Sequence, residues 1–203
     1  GGIKANCFCD PSFNDSRVVF PAKGKEVGDF TPQFARYPAK TRPIALSNTD
    51  NKTIATMVAR PLSEVGHSTI SPIQAGGFNG RNMGDHIINL ECKAIQFCMT
   101  HAMLSGIISL DQAAAFPTLS RRYLFWILRR MKVPKRIRRV IKFLYSGGQN
   151  GISIGGRIYA HFSSSSGVKQ GCPASMILFV LAFDPILRFI DSQLSPLGCS
   201  LFG

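Results

Sequence analysis

The sequence predicts an α+β domain with helices packed on a small antiparallel sheet, and three observations lead there. Apolar residues recur at helical spacing in several separate segments, two short β-prone runs flank a Gly155-Gly156 pair, and no linker or internal repeat divides the chain. The 203 residues suffice for one domain with its own core, or for part of a larger one. The chain opens on Gly1 and stops at Gly203, so a fragment is expected.

Residues 1–50 are rich in Pro, Gly, Asn, Asp and Ser, with Arg17-Val18-Val19-Phe20 as a strand, which predicts loops around short strands. Asp50 then stands as N-cap of a helix carrying Ile54, Met57, Val58 and Leu62, with Pro61 near its end. A loop rich in Gly and Asn covers 74–84. From Asp85 the positions Ile87, Leu90, Ala94 and Phe97 predict a second amphipathic helix to about Met103. Ile107-Ile108-Ser109-Leu110 reads as a short strand that delivers Asp111 at its C-terminal end.

Leu124, Ile127, Leu128 and Met131 define a third helix, ended by Pro134. Ile137, Val140, Ile141 and Leu144 define a fourth, stopped at Ser146-Gly147-Gly148. Both must turn their apolar stripe to the core and their arginines outward. Gly151-Ile152-Ser153-Ile154 and Arg157 to Phe162 form a hairpin around Gly155-Gly156. Four serines then lead into Gly167-Val168-Lys169-Gln170-Gly171-Cys172-Pro173-Ala174-Ser175. Two glycines and a proline fix this loop either for a backbone that passes close beneath a nucleic-acid strand or as a tight turn, in front of an apolar helix reaching about Ile190 with Pro185 bending or restarting it.

Twenty-four Lys and Arg against eleven Asp and Glu give a net charge of +13. Ten of those cations (Arg121, Arg122, Arg129, Arg130, Lys132, Lys135, Arg136, Arg138, Arg139 and Lys142) fall in one stretch without an acidic residue, which points to a polyanionic partner. A solvated helix face has the same composition. The six cysteines show no Cys-x-x-Cys spacing and read as reduced thiols. The longest apolar run is broken at Asp184-Pro185, short of the roughly 20 residues of a membrane span. The four histidines form no His-x-x-x-His pair, and no serine or cysteine has a neighbouring base that suggests hydrolysis.

Four segments in order carry more. They are Arg42-Pro43-Ile44-Ala45-Leu46 with Asn48 and Lys52, then Gln74-Ala75-Gly76-Gly77-Phe78-Asn79-Gly80-Arg81, then Leu110-Asp111 to Phe116, then the Gly167 loop with Leu178-Phe179. Together they resemble the reverse transcriptase domain of non-LTR (LINE-type) retrotransposons, with group II intron reverse transcriptases as more distant relatives. The similarity covers nearly all of residues 17–190.

The resemblance implies right-hand polymerase fingers and a partial palm: an irregular segment over 1–16, fingers over about 17–103 and an incomplete palm over about 104–203. It implies an RNA-directed DNA polymerase that copies an RNA template from a DNA primer with deoxynucleoside triphosphates and two Mg2+ ions. Asp111 matches the first catalytic aspartate and metal ligand, and a strand-end Asp capping the next helix would have the same local sequence. Gln112 would offer its carbonyl to a metal, and Phe116 would lie under the sugar and exclude a ribose 2′ hydroxyl, or serve as a core aromatic.

Arg42, and by looser alignment Lys23, would meet the triphosphate. Gln170 and Gly171 would lie against the template and nucleotide base pair, and Lys169 against backbone phosphate. Arg129, Arg130, Lys135, Arg136 and Arg139 would contact nucleic acid. The reduced thiols imply an intracellular location, nuclear or cytoplasmic and not secreted.

Two departures from the family pattern are Pro117, where an acidic residue is common, and the small residues between Asp111 and Ala115. The family's Ala-Asp-Asp motif is absent, and Ser195 to Gly203 looks like the approach to it. The piece alone is therefore expected to be inactive and poorly soluble. A catalytically dead, nucleic-acid-binding relic of such an element is the alternative.

Overall fold

The computed structural model describes residues 10–25, 36–78, 80–100 and 109–194. The expected helix end at Met103, the strand positions Ile107 and Ile108, and the segment from Ser195 onward lie outside them.

The strands are β1 (Ser16–Val19), β2 (Ile44–Ser47), β3 (Gln149–Ile154) and β4 (Arg157–Ser163). The helices are α1 (Thr49–Thr69), α2 (Met83–Thr100), α3 (Ala115–Thr118), α4 (Arg121–Arg130), α5 (Lys135–Leu144) and α6 (Ser175–Leu194). Ser109, Leu110 and Asp111 are described and belong to no strand.

The sheet runs β2-β1-β3-β4. Its outer pairs are antiparallel, but β1 and β3 are parallel, with Ser16 opposite Asn150, so the sheet is mixed and not purely antiparallel as the sequence suggested. The helices α1 to α5 intervene between the two central strands, a crossover long enough to return the chain in the same direction. Buried Ser16 Oγ donates to Asn150 Oδ1 at 2.6 Å across 134 positions of sequence. The β3–β4 hairpin turns at Gly155 and Gly156, both at positive φ, as the glycine pair predicts.

Helix α6 lies at the centre. It packs on α4 and α1, and α1 packs on α5. Leu124, Leu128, Ile141 and Leu178 are completely buried where these helices meet, each contributing about 1.5–3 kcal/mol of burial. The apolar stripes read from the sequence for α4 and α5 are those that turn inward.

Helix α1 departs from the sequence reading at both ends. Its N-cap is Asn48, whose side chain accepts from the Asn51 amide, and Asp50 sits in the first turn. At the other end it continues past Pro61 to Thr69. Burial of Val58 and Leu62 on one side and Gly66 beyond outweighs the backbone bond that Pro61 cannot donate. Met57, expected in the core, is exposed, and Ala55 takes its place. Helix α6 likewise passes through Pro185.

Two polar ties lock the helices together. The Arg81 guanidinium donates to the carbonyls of Ser71, Gln74, His67 and Ile70 and lies 4.7 Å from the Phe78 ring centroid. It thereby satisfies the open C-terminal end of α1. Buried Asp184 accepts from the Ser71 amide and from Arg188, which also donates to the Thr69 carbonyl. Arg81 of the Gln74-to-Arg81 motif thus closes the end of α1, and Asp184 with Arg188 ties that end to α6.

A candidate nucleotide cleft

A cleft of about 330 Å³ opens between three segments distant in sequence. Its lining residues are Lys23, Arg42, Pro43, Ala114, Ala115, Phe116, Pro117 and Gln170. The volume lies within the roughly 300–1,000 Å³ of small-molecule sites. Two cations and an amide stand beside an apolar wall of Phe116, two prolines and two alanines.

The Lys23–Arg42 side is a short antiparallel crossing. Ala22 bridges Thr41, Lys23 N donates to the Lys40 carbonyl, and Arg42 N donates to the Pro21 carbonyl. Lys23 Nζ donates to the Ala39 carbonyl at 3.0 Å. The Arg42 guanidinium has no hydrogen bond or ion pair to the described residues, so its donors remain available for an anion.

The Gly167 loop holds the other two sides in register. Ala45 N donates to the Gln170 carbonyl at 2.7 Å, which fixes the loop against β2 immediately after Arg42 and Pro43. Gly167 N donates to the Leu119 carbonyl and Val168 N to the Phe116 carbonyl, which fixes it against α3. The glycines make both approaches possible. A Cβ on Gly171, at φ +105°, would lie 2.7 Å from the Ala45 oxygen, and one on Gly167, at φ +74°, would lie 2.6 Å from the Pro117 oxygen. The close approach that the loop's glycines allow is made here to this chain's own backbone and not to a nucleic-acid strand.

Phe116 is half-buried, and its ring meets Phe179 of α6 edge-on at 5.3 Å. It is at once a core aromatic and a wall of the cleft. Ala114, two residues before it, caps α3 with φ +52° and ψ +47°, a left-handed conformation that an alanine adopts at a cost. Because α3 has no side-chain cap, Asp111 does not cap it. Asp111 and Gln112 are exposed just before Ala114 and are not among the lining residues.

The described residues contain no cluster of three or more His, Cys, Asp or Glu side chains able to hold a metal. Asp111 is one carboxylate, and two divalent ions need several oxygen ligands between them. The described residues do not by themselves fit the magnesium pair.

Lys169 does not line this cleft. It lines a smaller cavity together with Arg121 and Tyr145, and its Nζ donates to the Asn14 carbonyl at 2.6 Å. Burial lowers its pKa below the usual lysine value. Asn14 in turn donates to the Phe143 and Ser146 carbonyls at the end of α5 and accepts from Asn51 of α1. Beside it, the Tyr145 hydroxyl contacts Ser175 Oγ at 3.0 Å and donates to Cys172 Sγ, and burial drives its pKa well above the ordinary phenol value.

Two of the ten clustered cations are spent on structure, which composition does not reveal. Arg121 donates to the carbonyls of Gly167, Tyr145 and Ser164, and Arg138 donates to the Val133 carbonyl. Arg129, Arg130, Lys135, Arg136 and Arg139 are exposed, as are Arg122, Lys132 and Lys142.

Comparison with known proteins agrees with the motif order. The family model described as reverse transcriptase (RNA-dependent DNA polymerase) matches residues 25–202. A Xenopus laevis protein, "Transposon TX1 uncharacterized 149 kDa protein", is 28% identical over 156 residues, 77% of this chain and 12% of that protein. The Drosophila melanogaster "Retrovirus-related Pol polyprotein from type-2 retrotransposable element R2DM" is 35% identical over 88 residues, 43% of this chain and 8% of that protein. The chain thus spans about a tenth of the length of these curated relatives. No described helix is long and apolar enough to cross a membrane. On these matches the chain belongs to the reverse transcriptase (RNA-dependent DNA polymerase) family, in agreement with its resemblance to the non-LTR retrotransposon enzymes.

Proposed function

We propose that this chain supplies the nucleotide cleft of an RNA-directed DNA polymerase of a non-LTR retrotransposon, with fingers over about 17–103 and part of the palm over about 104–203. One observation carries the reading. Lys23, Arg42, Phe116 and Gln170, named from separate motifs, line a single cleft.

Within it, Arg42 and Lys23 receive the triphosphate of the incoming nucleotide, where fixed cations offset charge as the phosphoryl group is transferred. Phe116 lies under the sugar and selects deoxyribose. Gln170, carried on the strap that Gly171 seats on β2, faces the base pair with the RNA template. Asp111 would be one ligand of the metal ions that such a polymerase uses, and Gln112 would offer its carbonyl there, but further carboxylates would be needed beside them. The primer 3′ hydroxyl attacks the α-phosphate and pyrophosphate leaves. The exposed cations of α4 and α5 engage nucleic acid. Lys169 acts by holding the strap to Asn14, and a phosphate contact would require its ammonium to leave that carbonyl.

Nucleotide binding tests the cleft without requiring turnover. A fluorescent dNTP titrated onto the chain is expected to bind, and Arg42→Ala to weaken it at least tenfold, as loss of a charge-assisted contact does. Unchanged affinity in Arg42→Ala would remove the cleft as the nucleotide site. For the polymerase itself, primer extension by the full polypeptide should vanish in Asp111→Ala, and extension that survives that substitution would overturn the catalytic role.

A further inference from the structure

The exposed face of α4 is not explained by the fold or by the cleft. Arg122, Trp126, Arg129 and Arg130 lie at i, i+4, i+7 and i+8, one stripe of the helix, opposite the buried Leu124, Ile127 and Leu128. Trp126 is 53% exposed although it is the largest apolar side chain of the protein. Its ring stacks on that of Tyr123 at 6.1 Å with 24° between planes, and the Arg130 guanidinium lies 5.6 Å from its centroid. Tyr123 is itself half-buried, so the indole is backed by the fold on one side and presented to solvent on the other.

Arg129 and Arg130 sit in the last turn, where cations favour the helix dipole, but the charge at the other end does not serve the helix. Arg122 sits in the first turn, where a cation opposes the helix dipole, and no acidic residue stands there to offset it. Arg122 and Arg129 have no hydrogen bond or ion pair to the described residues. Four residues beyond the helix the pattern resumes on α5, where Lys135, Arg136, Arg139 and Lys142 are exposed without an acidic neighbour in sequence. None of these residues lines the cleft.

We propose that this face of α4 is a docking site for single-stranded nucleic acid, separate from the cleft, with Trp126 as the base-stacking platform and Arg122, Arg129 and Arg130 as phosphate contacts. An aromatic platform flanked by cations suits a strand whose bases are unstacked and free to lie on a ring. A duplex keeps its base faces covered and would use only the charge. The proposal rests on the polymerase reading, which already gives the exposed α4 cations to nucleic acid, and deepens it by naming the strand as single and Trp126 as its platform.

Trp126 is the one tryptophan of the chain, so its fluorescence reports on this face alone. A single-stranded oligoadenylate is expected to quench it, whereas a duplex of equal length and inorganic polyphosphate bind without comparable quenching. By anisotropy of a labelled strand, Trp126→Ala should weaken binding about 5- to 100-fold while Trp126→Phe retains most of it. Because the side chain is exposed, circular dichroism and melting should be unchanged in both. Replacing all three arginines by alanine should make the salt dependence shallower by about 2 in log–log slope. Arg42→Ala should leave the quenching intact. Quenching that polyphosphate reproduces, wild-type affinity in Trp126→Ala, or quenching lost in Arg42→Ala would each overturn the proposal, the last by assigning the strand to the cleft.

Discussion

Ala45 donates its backbone N–H to the carbonyl of Gln170 at 2.7 Å, and the absent side chain of Gly171 is what lets the two segments come that close. This pair sets the Gln170 wall of the cleft beside Arg42. Gly171→Ala would place a methyl against the Ala45 oxygen at a backbone φ of +105°. We expect it to destabilise the chain by about 2–3 kcal/mol in urea unfolding and to weaken nucleotide binding with it. Wild-type stability would mean that the strap is not seated as described.

Ala114 offers the opposite experiment. It holds φ +52° beside Phe116 without a glycine's freedom. Ala114→Gly should relieve about 1 kcal/mol of local strain, set against the greater freedom of glycine in the unfolded chain. A net gain of at most about 0.5 kcal/mol in unfolding free energy is expected, and a clear loss would show that the αL conformation is not strained.

Stability in alkali should depend on Tyr145. Burial raises its pKa above the ordinary value of 10.0, so its contribution is complete below pH 10 and is lost as the pH rises toward the folded-state value. Lys169, whose pKa is lowered from 10.5, acts in the opposite sense, with stability rising as its proton leaves. In Tyr145→Phe the alkaline loss should disappear, at a cost of about 1 kcal/mol at neutral pH for the bonds to Ser175 and Cys172. Denaturant midpoints from pH 8 to 11 test this, and parallel curves for both proteins would refute it.

Phe116 should govern sugar choice in the full polypeptide. Phe116→Val is expected to admit ribonucleotides, lowering discrimination by about 10- to 200-fold in primer extension with matched dNTP and rNTP. It also trims the edge contact with Phe179, so a melting measurement should show a loss of about 1–3 kcal/mol. Unchanged discrimination at reduced stability would leave Phe116 a core residue only.

Sequence alone determined whatever depends on near neighbours. Helical spacing placed α1, α4 and α5, a long apolar run placed α6, a glycine pair placed the β3–β4 turn, and four ordered motifs identified the family. It also named the cleft's Lys23, Arg42, Phe116 and Gln170, because motif residues are legible one by one. Tertiary structure decided what depends on partners far along the chain. The parallel pairing of β1 with β3 is set by contacts such as Ser16 to Asn150, 134 positions apart, for which no local pattern exists. Strand β2 is four residues behind a proline, too short for periodicity to show. Lys169 and Arg121 read as phosphate-seeking cations until folding half-buries them against carbonyls, and Arg122 and Trp126 stay in solvent because the opposite side of α4 fills the core. Charge and spacing are written residue by residue, but burial belongs to the packed chain, and burial determines which cations remain available to a ligand.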